Sequence, residues 1–164
     1  VYKRQEMGRS YRGMMTAGMK MTVDEILALP DPVPFKAAWT ALDSLSRQHY
    51  VIGNTLFTHA AATVGLWTNT SHRPNGEHGQ LAYFGQVDRE APTRADGYPN
   101  RVYGWIDDIP SGKTVVVGHD IRSTSEPLVV ENSNGGRAIF LDTGSSKGGK
   151  LSHIIYDVKE LMRK

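Results

Sequence analysis

Three β-branched residues in a row, Val115–Val117, constrain the fold more than any other stretch of this sequence. They belong to residues 111–120, which read SGKTVVVGHD, and glycines stand on both sides of them. A short apolar run bounded by glycines is typical of a strand that is buried on both faces of a sheet. The sequence therefore predicts an α/β protein in which this strand ends just before His119.

The same stretch contains Gly-Lys-Thr, the tripeptide that closes phosphate-binding P-loops. That motif needs a glycine five residues before Gly112, but Asp107 stands there and Asp108 follows it. Two carboxylates would repel a phosphate, and a P-loop opens a helix, whereas here a strand follows. We therefore interpret residues 111–113 as the turn that starts the strand.

Most of the predicted helices lie in the first third of the chain. A helix interrupted by glycines is expected within residues 1–21. Thr22 and Glu25 match a capping box, which predicts that a second, short helix begins there. Apolar residues at helical spacing over 35–45 predict a third helix with Trp39 in its core.

Strands are predicted in the rest of the chain, where β-branched runs alternate with glycine-rich turns. Gly53-Asn54 is typical of a tight hairpin turn. A terminal helix is expected over 158–164. The predicted strands span residues 50–52, 55–58, 115–117, 128–131, 138–141 and 151–156.

We expect one partial domain over residues 1–164, with a helical segment at 1–49 and a sheet at 50–158. The sheet is interrupted by a long irregular loop, 63–99, and a loop of that length in a compact domain is usually functional or disordered.

The composition excludes some classes of site. The 164 residues include no cysteine, so disulfides, thiolate catalysis and cysteine-based zinc sites are excluded. The net charge of +2 argues neither for nor against a nucleic-acid partner. No apolar run approaches the roughly 20 residues that a membrane span needs, so we expect a cytoplasmic protein with no membrane partner.

Two histidines follow predicted strands, and both are followed by small or turn-forming residues. His59 ends residues 55–59, TLFTH, and His119 follows the valine strand after one glycine. Sites in α/β proteins gather at the carboxyl ends of strands, and neutral imidazole is a common ligand of divalent ions. The pair favours a metal site, although a lone histidine in such a position is more often structural.

Three segments, taken in order, resemble the C-terminal half of the calcineurin-like metallophosphoesterases. Residues 58–61 (THAA) resemble a family segment in which a histidine follows a strand, and 115–120 (VVVGHD) resemble a second. Residues 141–151 (LDTGSSKGGKL) resemble the closing hairpin. The resemblance covers about residues 50–158. Position 121 is Ile121 and not a histidine, so the resemblance is greater to the branch of the phosphoprotein phosphatases.

The resemblance implies a β-sandwich flanked by helices, with two divalent metal ions, Mn, Fe or Zn, at the strand ends. It implies that His59 and His119 are ligands of one metal. It also implies a catalytic arginine that grips the phosphate, for which we choose Arg101. A guanidinium suits that role because its planar fork matches two phosphate oxygens. Arg89 and Arg94 are weaker choices.

The family's remaining ligands come from Gly-Asp-x-His, Gly-Asp-x-x-Asp-Arg and Gly-Asn-His-Asp/Glu motifs, and none occurs in this sequence. The first residue is Val1, so we expect the N-terminal strands of the fold to be missing from this chain. We expect an active phosphatase in the full-length parent and no activity in this chain alone, which has too few ligands for two ions.

The substrate class stays open between a phosphoprotein, a nucleotide polyphosphate and a polynucleotide end. The alternative function is a non-catalytic binding or regulatory relative of the same fold that has lost its metals. A serine hydrolase is disfavoured because no Gly-x-Ser-x-Gly elbow occurs.

Other polar residues near these motifs are assigned mostly structural roles. We expect Asp142 to order the following turn, and Asp120 to have a similar role. Arg122 either faces the site or pairs with Glu126. We expect His72 and His78 to contact solvent, and His49 and His153 to be structural or exposed. Trp67 and Trp105 are weak candidates for the border of a cleft.

Overall fold

The structure is a computed structural model that describes residues 17–71, 76–88, 90–95, 97–157, 159 and 162. The chain divides into two compact units, Val1–Ser46 and Arg47–Lys164. The described residues form a mixed α/β structure with three α-helices and a five-stranded mixed sheet. The predicted glycine-broken helix in 1–21 and the terminal helix in 158–164 lie largely outside the described residues.

Helix α1 covers Ala17–Ala28, so the predicted capping box at Thr22 is wrong. Thr22 lies inside the helix, where no backbone N–H group needs a cap. The residues just before it, Met19 to Met21, are good helix formers, so the helix extends through the threonine.

Helix α2 covers Val33–Leu45 and confirms the helix predicted from apolar spacing. Its first N–H group, at Val33, donates to Asp31 Oδ1 at 3.0 Å. The prediction that Trp39 lies in a core is wrong, because its side chain is 59% exposed and no residue of α2 is buried. Helical spacing identifies the apolar face of a helix, but it does not establish that anything covers that face.

The sheet lies in the second unit and has the strand order β1-β2-β3-β5-β4. The pairs β2–β3 and β3–β5 are parallel, whereas the outer pairs β1–β2 and β4–β5 are antiparallel. The strands are β1 (His49–Ile52), β2 (Thr55–Thr58), β3 (Thr114–Val117), β4 (Leu128–Glu131) and β5 (Arg137–Phe140).

The predicted hairpin is confirmed, with Ile52 paired to Thr55 across the turn. Gly53 has a φ of 57°, the left-handed conformation that two-residue hairpin turns require. The valine strand is also confirmed, since all four residues of β3 are buried. The hairpin delivers β2 beside β3, so two parallel strands end at the same edge of the sheet.

The core lies against one face of this sheet and is built from the second unit alone. Large apolar side chains from the central strands meet two 3₁₀ helices, Val64–Trp67 and Gly104–Ile106. The largest fully buried side chains are Phe140, Leu56, Leu66, Val115 and Val117.

The predicted irregular loop over 63–99 is wrong in part, because helix α3 (Gly76–Phe84) lies within it. The helix has no apolar stripe that a sequence pattern would reveal, since its buried residues are Gly79 and Ala82. Small residues let the end of the helix approach the segment that follows β2. The carbonyl oxygen of Ala82 accepts the N–H of Ala60 at 2.9 Å.

The strand predicted at 151–156 is also wrong, since these residues belong to no strand of the described sheet. Their side chains do alternate: Leu151 and Ile155 are exposed, whereas Tyr156 packs edge-on against Phe57 with ring centroids 5.8 Å apart. The period of two therefore marks an extended segment that has no ladder partner. No helix among the described residues is long and apolar enough to cross a membrane.

Candidate active site

The two predicted histidines lie side by side at the carboxyl ends of β2 and β3. The parallel register pairs Phe57 with Val116, and the Gly118 N–H then donates to the His59 carbonyl at 2.9 Å. This bond continues the ladder past the strands and brings the two side chains together. Their ring centroids lie 4.6 Å apart, and His59 Nε2 is 2.9 Å from His119 Nδ1.

Arg101, the predicted phosphate-binding residue, contacts the same pair. Its Nη2 lies 2.8 Å from His119 Nε2. A guanidinium can only donate hydrogen bonds, so His119 Nε2 must accept and the proton of this neutral ring is on Nδ1. His119 Nδ1 therefore donates to His59 Nε2. The three side chains form a directed chain of hydrogen bonds from arginine to His119 to His59.

The backbone around Arg101 explains how this side chain reaches the histidines. An isolated bridge pairs Arg101 with Val87, and the Arg101 Nη1 donates to the Phe84 carbonyl at the end of α3. Gly85 has a φ of 70°, and a Cβ atom there would lie 3.1 Å from Nη1. The glycine therefore leaves the space that the guanidinium occupies.

His119 has an unusual backbone conformation. Its φ of 66° is the only positive φ among the described residues other than glycine. The Asp120 N–H donates to the Gly118 carbonyl at 2.7 Å, which closes a three-residue turn around the histidine. Turns of this hand are rare and strained, and a non-glycine residue held in this region costs about 1–3 kcal/mol. Strain of this size at a residue facing two polar partners is typical of a functional site.

Tyr103 and Asp120 form a hydrogen-bonded pair next to His119. The Tyr103 hydroxyl donates to Asp120 Oδ2. The tyrosine ring packs edge-on against Phe140, with centroids 5.8 Å apart, and the Arg122 guanidinium carbon lies 4.0 Å from its centroid. Burial, followed by the bond to Asp120, raises the pKa of the Tyr103 phenol above its ordinary value, although Arg122 opposes this.

The pKa of His119 is lowered from its ordinary value. Burial is the largest cause, followed by His59 and by the positive charge of Arg101, while Asp120 and Asp142 act in the opposite direction. The ring is therefore neutral at pH 7. A neutral imidazole has one nitrogen lone pair, with which it can either accept from Arg101 or bind a metal ion.

A small cleft opens beside Arg101 and His119, lined also by Gln86 and Trp105. The Gln86 Oε1 atom is buried without a hydrogen-bond partner. Trp105, a weak sequence candidate for the border of a cleft, lines it. A larger open groove of about 380 Å³ lies along β1, and its lining includes Trp67 but neither histidine of the site.

Two of the remaining histidines have the roles assigned from sequence. His49 is buried and its Nε2 lies 3.0 Å from the Asn69 carbonyl oxygen, and His153 is exposed. The prediction for His78 is wrong in part: the side chain is half-buried, its Nδ1 lies 2.7 Å from Thr63 Oγ1, and its ring fills the space beside Gly65. The sequence does not indicate this contact, because the ring fits only where Gly65 has no Cβ atom.

Asp142 accepts the Gly144 N–H at 2.9 Å, which confirms that it orders the turn. The Asp120 side chain accepts from the Tyr103 hydroxyl. Arg122 lies over the rings of Tyr103 and Phe140, and the sequence had not indicated this contact. Arg94 begins a turn closed by the Gly97 N–H. Arg89 and His72 lie outside the described residues.

The donor atoms fit half of a metal site. Two nitrogen ligands of one tetrahedral zinc ion lie about 3.3 Å apart, because each Zn–N bond is about 2.0 Å long. The observed separation of 2.9 Å between His59 Nε2 and His119 Nδ1 is close to this value. However, no group of three or more His, Cys, Asp or Glu side chains is placed to hold an ion in the part of the chain that the structure describes.

Sequence patterns missed the Tyr103–Asp120 contact. Tyr103 stands two residues after Arg101, and Asp120 directly follows His119, so both are next to predicted site residues. No periodicity or motif indicates that a tyrosine and an aspartate 17 residues apart are bonded.

No protein-family model matches the chain, and no curated protein matches it.

Proposed function

We propose that this chain carries part of the active site of a metal-dependent phosphoester hydrolase with a metallophosphoesterase-type β-sandwich. The observation that carries the proposal is the pair of imidazole nitrogens, His59 Nε2 and His119 Nδ1, 2.9 Å apart and next to Arg101. Imidazole nitrogens suit Fe or Zn, and the family resemblance adds Mn to the metals that we propose. A guanidinium beside them suits the phosphate group of a substrate.

His59 and His119 would hold one divalent ion of a two-metal centre. Such a centre supplies an activated water and stabilises the oxygens of the displacement when it is bound. Each neutral histidine contributes one nitrogen lone pair, and the lowered pKa of His119 favours the neutral ring that carries it.

Arg101 has two roles in this proposal. In the structure its Nη2 donates to His119 Nε2. For His119 Nδ1 to act as a ligand, its proton must leave, and a neutral ring then carries the proton on Nε2. That atom no longer accepts from Arg101, so the guanidinium is released to donate to a phosphate oxygen. Metal binding and phosphate binding are therefore coupled through the tautomer of one imidazole.

Two nitrogen donors do not hold two ions tightly. We therefore propose that the 164-residue chain alone binds a divalent ion weakly and does not hydrolyse phosphoesters, and that activity needs further metal ligands besides His59 and His119. The substrate is a phosphoprotein, a nucleotide polyphosphate or a polynucleotide end, and the net charge of +2 gives no specific support to nucleic acid.

Calorimetric titration with Mn²⁺ tests the metal site. We expect weak binding to the full chain and its loss in His59→Gln and His119→Gln. The exposed His153→Gln is the matched control and should bind like the wild type. Binding that is equal in all four proteins would contradict the site.

Titration with inorganic phosphate tests the role of Arg101. We expect phosphate to bind only with Mn²⁺ present, and at least about tenfold more weakly to Arg101→Lys, because lysine lacks the planar fork. The exposed Arg47→Lys is the control. Phosphate affinity that is unchanged in Arg101→Lys would refute this role. Manganese-dependent hydrolysis by the chain alone, lost in His119→Ala, would refute only its proposed inactivity.

One observation favours a second function, a binding module without metals: the described residues bring no third metal-ligating side chain to the pair. The Mn²⁺ titration separates the two functions. Absence of Mn²⁺ binding at millimolar concentration, together with phosphate binding that needs no Mn²⁺, would support the metal-free module.

A further inference from the structure

We propose that Tyr103 and Asp120 are positioning residues that hold the strained turn at His119. The hydroxyl of Tyr103 bonds the carboxylate that directly follows His119. This inference deepens the proposed function, because the orientation of the imidazole decides whether its Nδ1 faces His59. It rests on contacts of the metal-free chain, so it can also be tested separately.

The turn is fixed at both of its ends. On one side, the Gly118 N–H donates to the His59 carbonyl at 2.9 Å and ties the turn to β2. On the other side, the Asp120 side chain accepts from Tyr103. His119 lies between these anchors with a φ of 66°. A residue with a Cβ leaves this conformation unless its neighbours hold it, so both anchors are needed.

Tyr103 is itself held in place, which makes it a suitable anchor. Its ring packs against Phe140 of β5, at 5.8 Å between centroids, and Arg122 covers the ring at 4.0 Å. Its carbonyl accepts the Ile106 N–H at 2.9 Å at the start of a 3₁₀ helix. The phenol therefore has a fixed position relative to the sheet, and His119 follows a strand of the same sheet.

One short segment, residues 101–103, contacts both His119 and the residue that follows it, Asp120. Arg101 bonds the ring at Nε2, and Tyr103 bonds the side chain of the next residue along the chain. The first contact selects the tautomer of the ring, and the second fixes the backbone that carries it. Loss of the second contact should let the turn relax and let the ring leave Arg101.

Nitrogen-15 NMR of the metal-free, full-length chain tests this inference. Long-range proton–nitrogen correlations should show His119 as a single Nδ1–H tautomer in the wild type. Tyr103→Phe removes the hydroxyl but keeps the ring contacts, and it should give a mixture of tautomers. Tyr156→Phe, which removes a half-buried phenol elsewhere, is the matched control and should retain the single tautomer.

Two changes at Asp120 keep the test decisive if Tyr103→Phe fails to fold. Asp120→Ala removes the acceptor and should give the same mixture of tautomers. Asp120→Asn keeps an oxygen that can accept from Tyr103, so it should retain the wild-type tautomer. This rescue by the conservative change would not be seen if Asp120 were needed only for its charge.

Mn²⁺ affinity is the second readout. Changes to residues that orient metal ligands weaken metal binding by about tenfold or more, so we expect a loss of this size in Tyr103→Phe and Asp120→Ala. A single His119 tautomer and wild-type Mn²⁺ affinity in both variants would overturn the inference. If the wild type binds no Mn²⁺ but the tautomer still changes as expected, the positioning role stands and the proposed metal site fails.

Discussion

At the scale of single residues, His119 combines a strained backbone with a side chain that has partners on both ring nitrogens. Strain persists only where surrounding structure holds it, and here Gly118 and Asp120 are both anchored. Any smaller residue would remove the imidazole, but only glycine would also remove the strain. This difference makes the backbone contribution measurable separately from the side chain.

We predict that His119→Gly is more stable than His119→Ala by about 1 kcal/mol, because glycine adopts a positive φ without a steric penalty. His59 does not have a positive φ. His59→Ala should therefore be more stable than His59→Gly, by about 0.5–1 kcal/mol. Urea denaturation of the four variants measures both differences. Equal stability of the two variants at position 119 would show that the turn is not strained.

Tyr103 gives a prediction for alkaline pH. Its pKa is raised above the ordinary 10.0, with burial as the largest cause, and burial raises that of Tyr156 as well. Above pH 10 the unfolded chain loses these protons while the native chain keeps them, so the free energy of unfolding falls as the pH rises. In urea denaturation between pH 8 and 11, Tyr103→Phe should show a shallower fall, and Tyr103→Phe/Tyr156→Phe the shallowest. An unchanged slope in both would contradict this.

His59 and His119 could be selected from the sequence because a strand end is a local feature that a β-branched run reveals. Arg101 was selected only from the resemblance to a family that uses an arginine for phosphate. Tyr103 and Asp120 could not be selected from the sequence, since their bond depends on how Tyr103 packs against Phe140 of β5. The sequence places both residues next to candidate positions, but only the fold shows that they meet.

At the scale of elements, local signals succeeded where one element forms from its own residues. The Gly53-Asn54 turn, β3 and helix α2 were all predicted in this way. Helix α3 was missed because it packs through Gly79 and Ala82 and so has no apolar stripe. The extended segment 151–157 has the period of a strand, but pairing depends on a neighbour that a sequence pattern does not reveal.

Asn132 joins the β4–β5 turn to the segment after the 3₁₀ helix Gly104–Ile106, and no sequence pattern indicated it. Its side chain is buried, and its Nδ2 donates to the carbonyls of Ile106 and Ile109 at 2.9 and 2.8 Å. Its Oδ1 accepts the N–H groups of Asn134 and Gly136 at 3.0 and 2.8 Å.

We predict that Asn132→Ala lowers the free energy of unfolding by about 2–4 kcal/mol, because several buried backbone groups lose their partners together. The exposed neighbour Asn134→Ala is the control and should change it by less than about 0.5 kcal/mol. Thermal and urea unfolding measure the difference. Similar small losses in both variants would mean that water replaces the asparagine.

At the scale of the whole molecule, the residues that matter for the proposal belong to one unit, Arg47–Lys164. The hydrophobic core, the five strands and the three site residues all lie in it. A hairpin and two parallel strands bring His59 and His119 to one edge of the sheet, although 60 positions separate them along the chain. The site is therefore a product of the topology, and Arg101 reaches it from a segment outside the sheet.

The most direct test of this arrangement is anomalous scattering from a crystal of the full chain soaked in Mn²⁺. Our proposal predicts one anomalous peak within bonding distance of both His59 Nε2 and His119 Nδ1, which disappears in His119→Gln. A crystal with no peak between these two nitrogens, or with manganese only at other residues, would contradict the shared metal site.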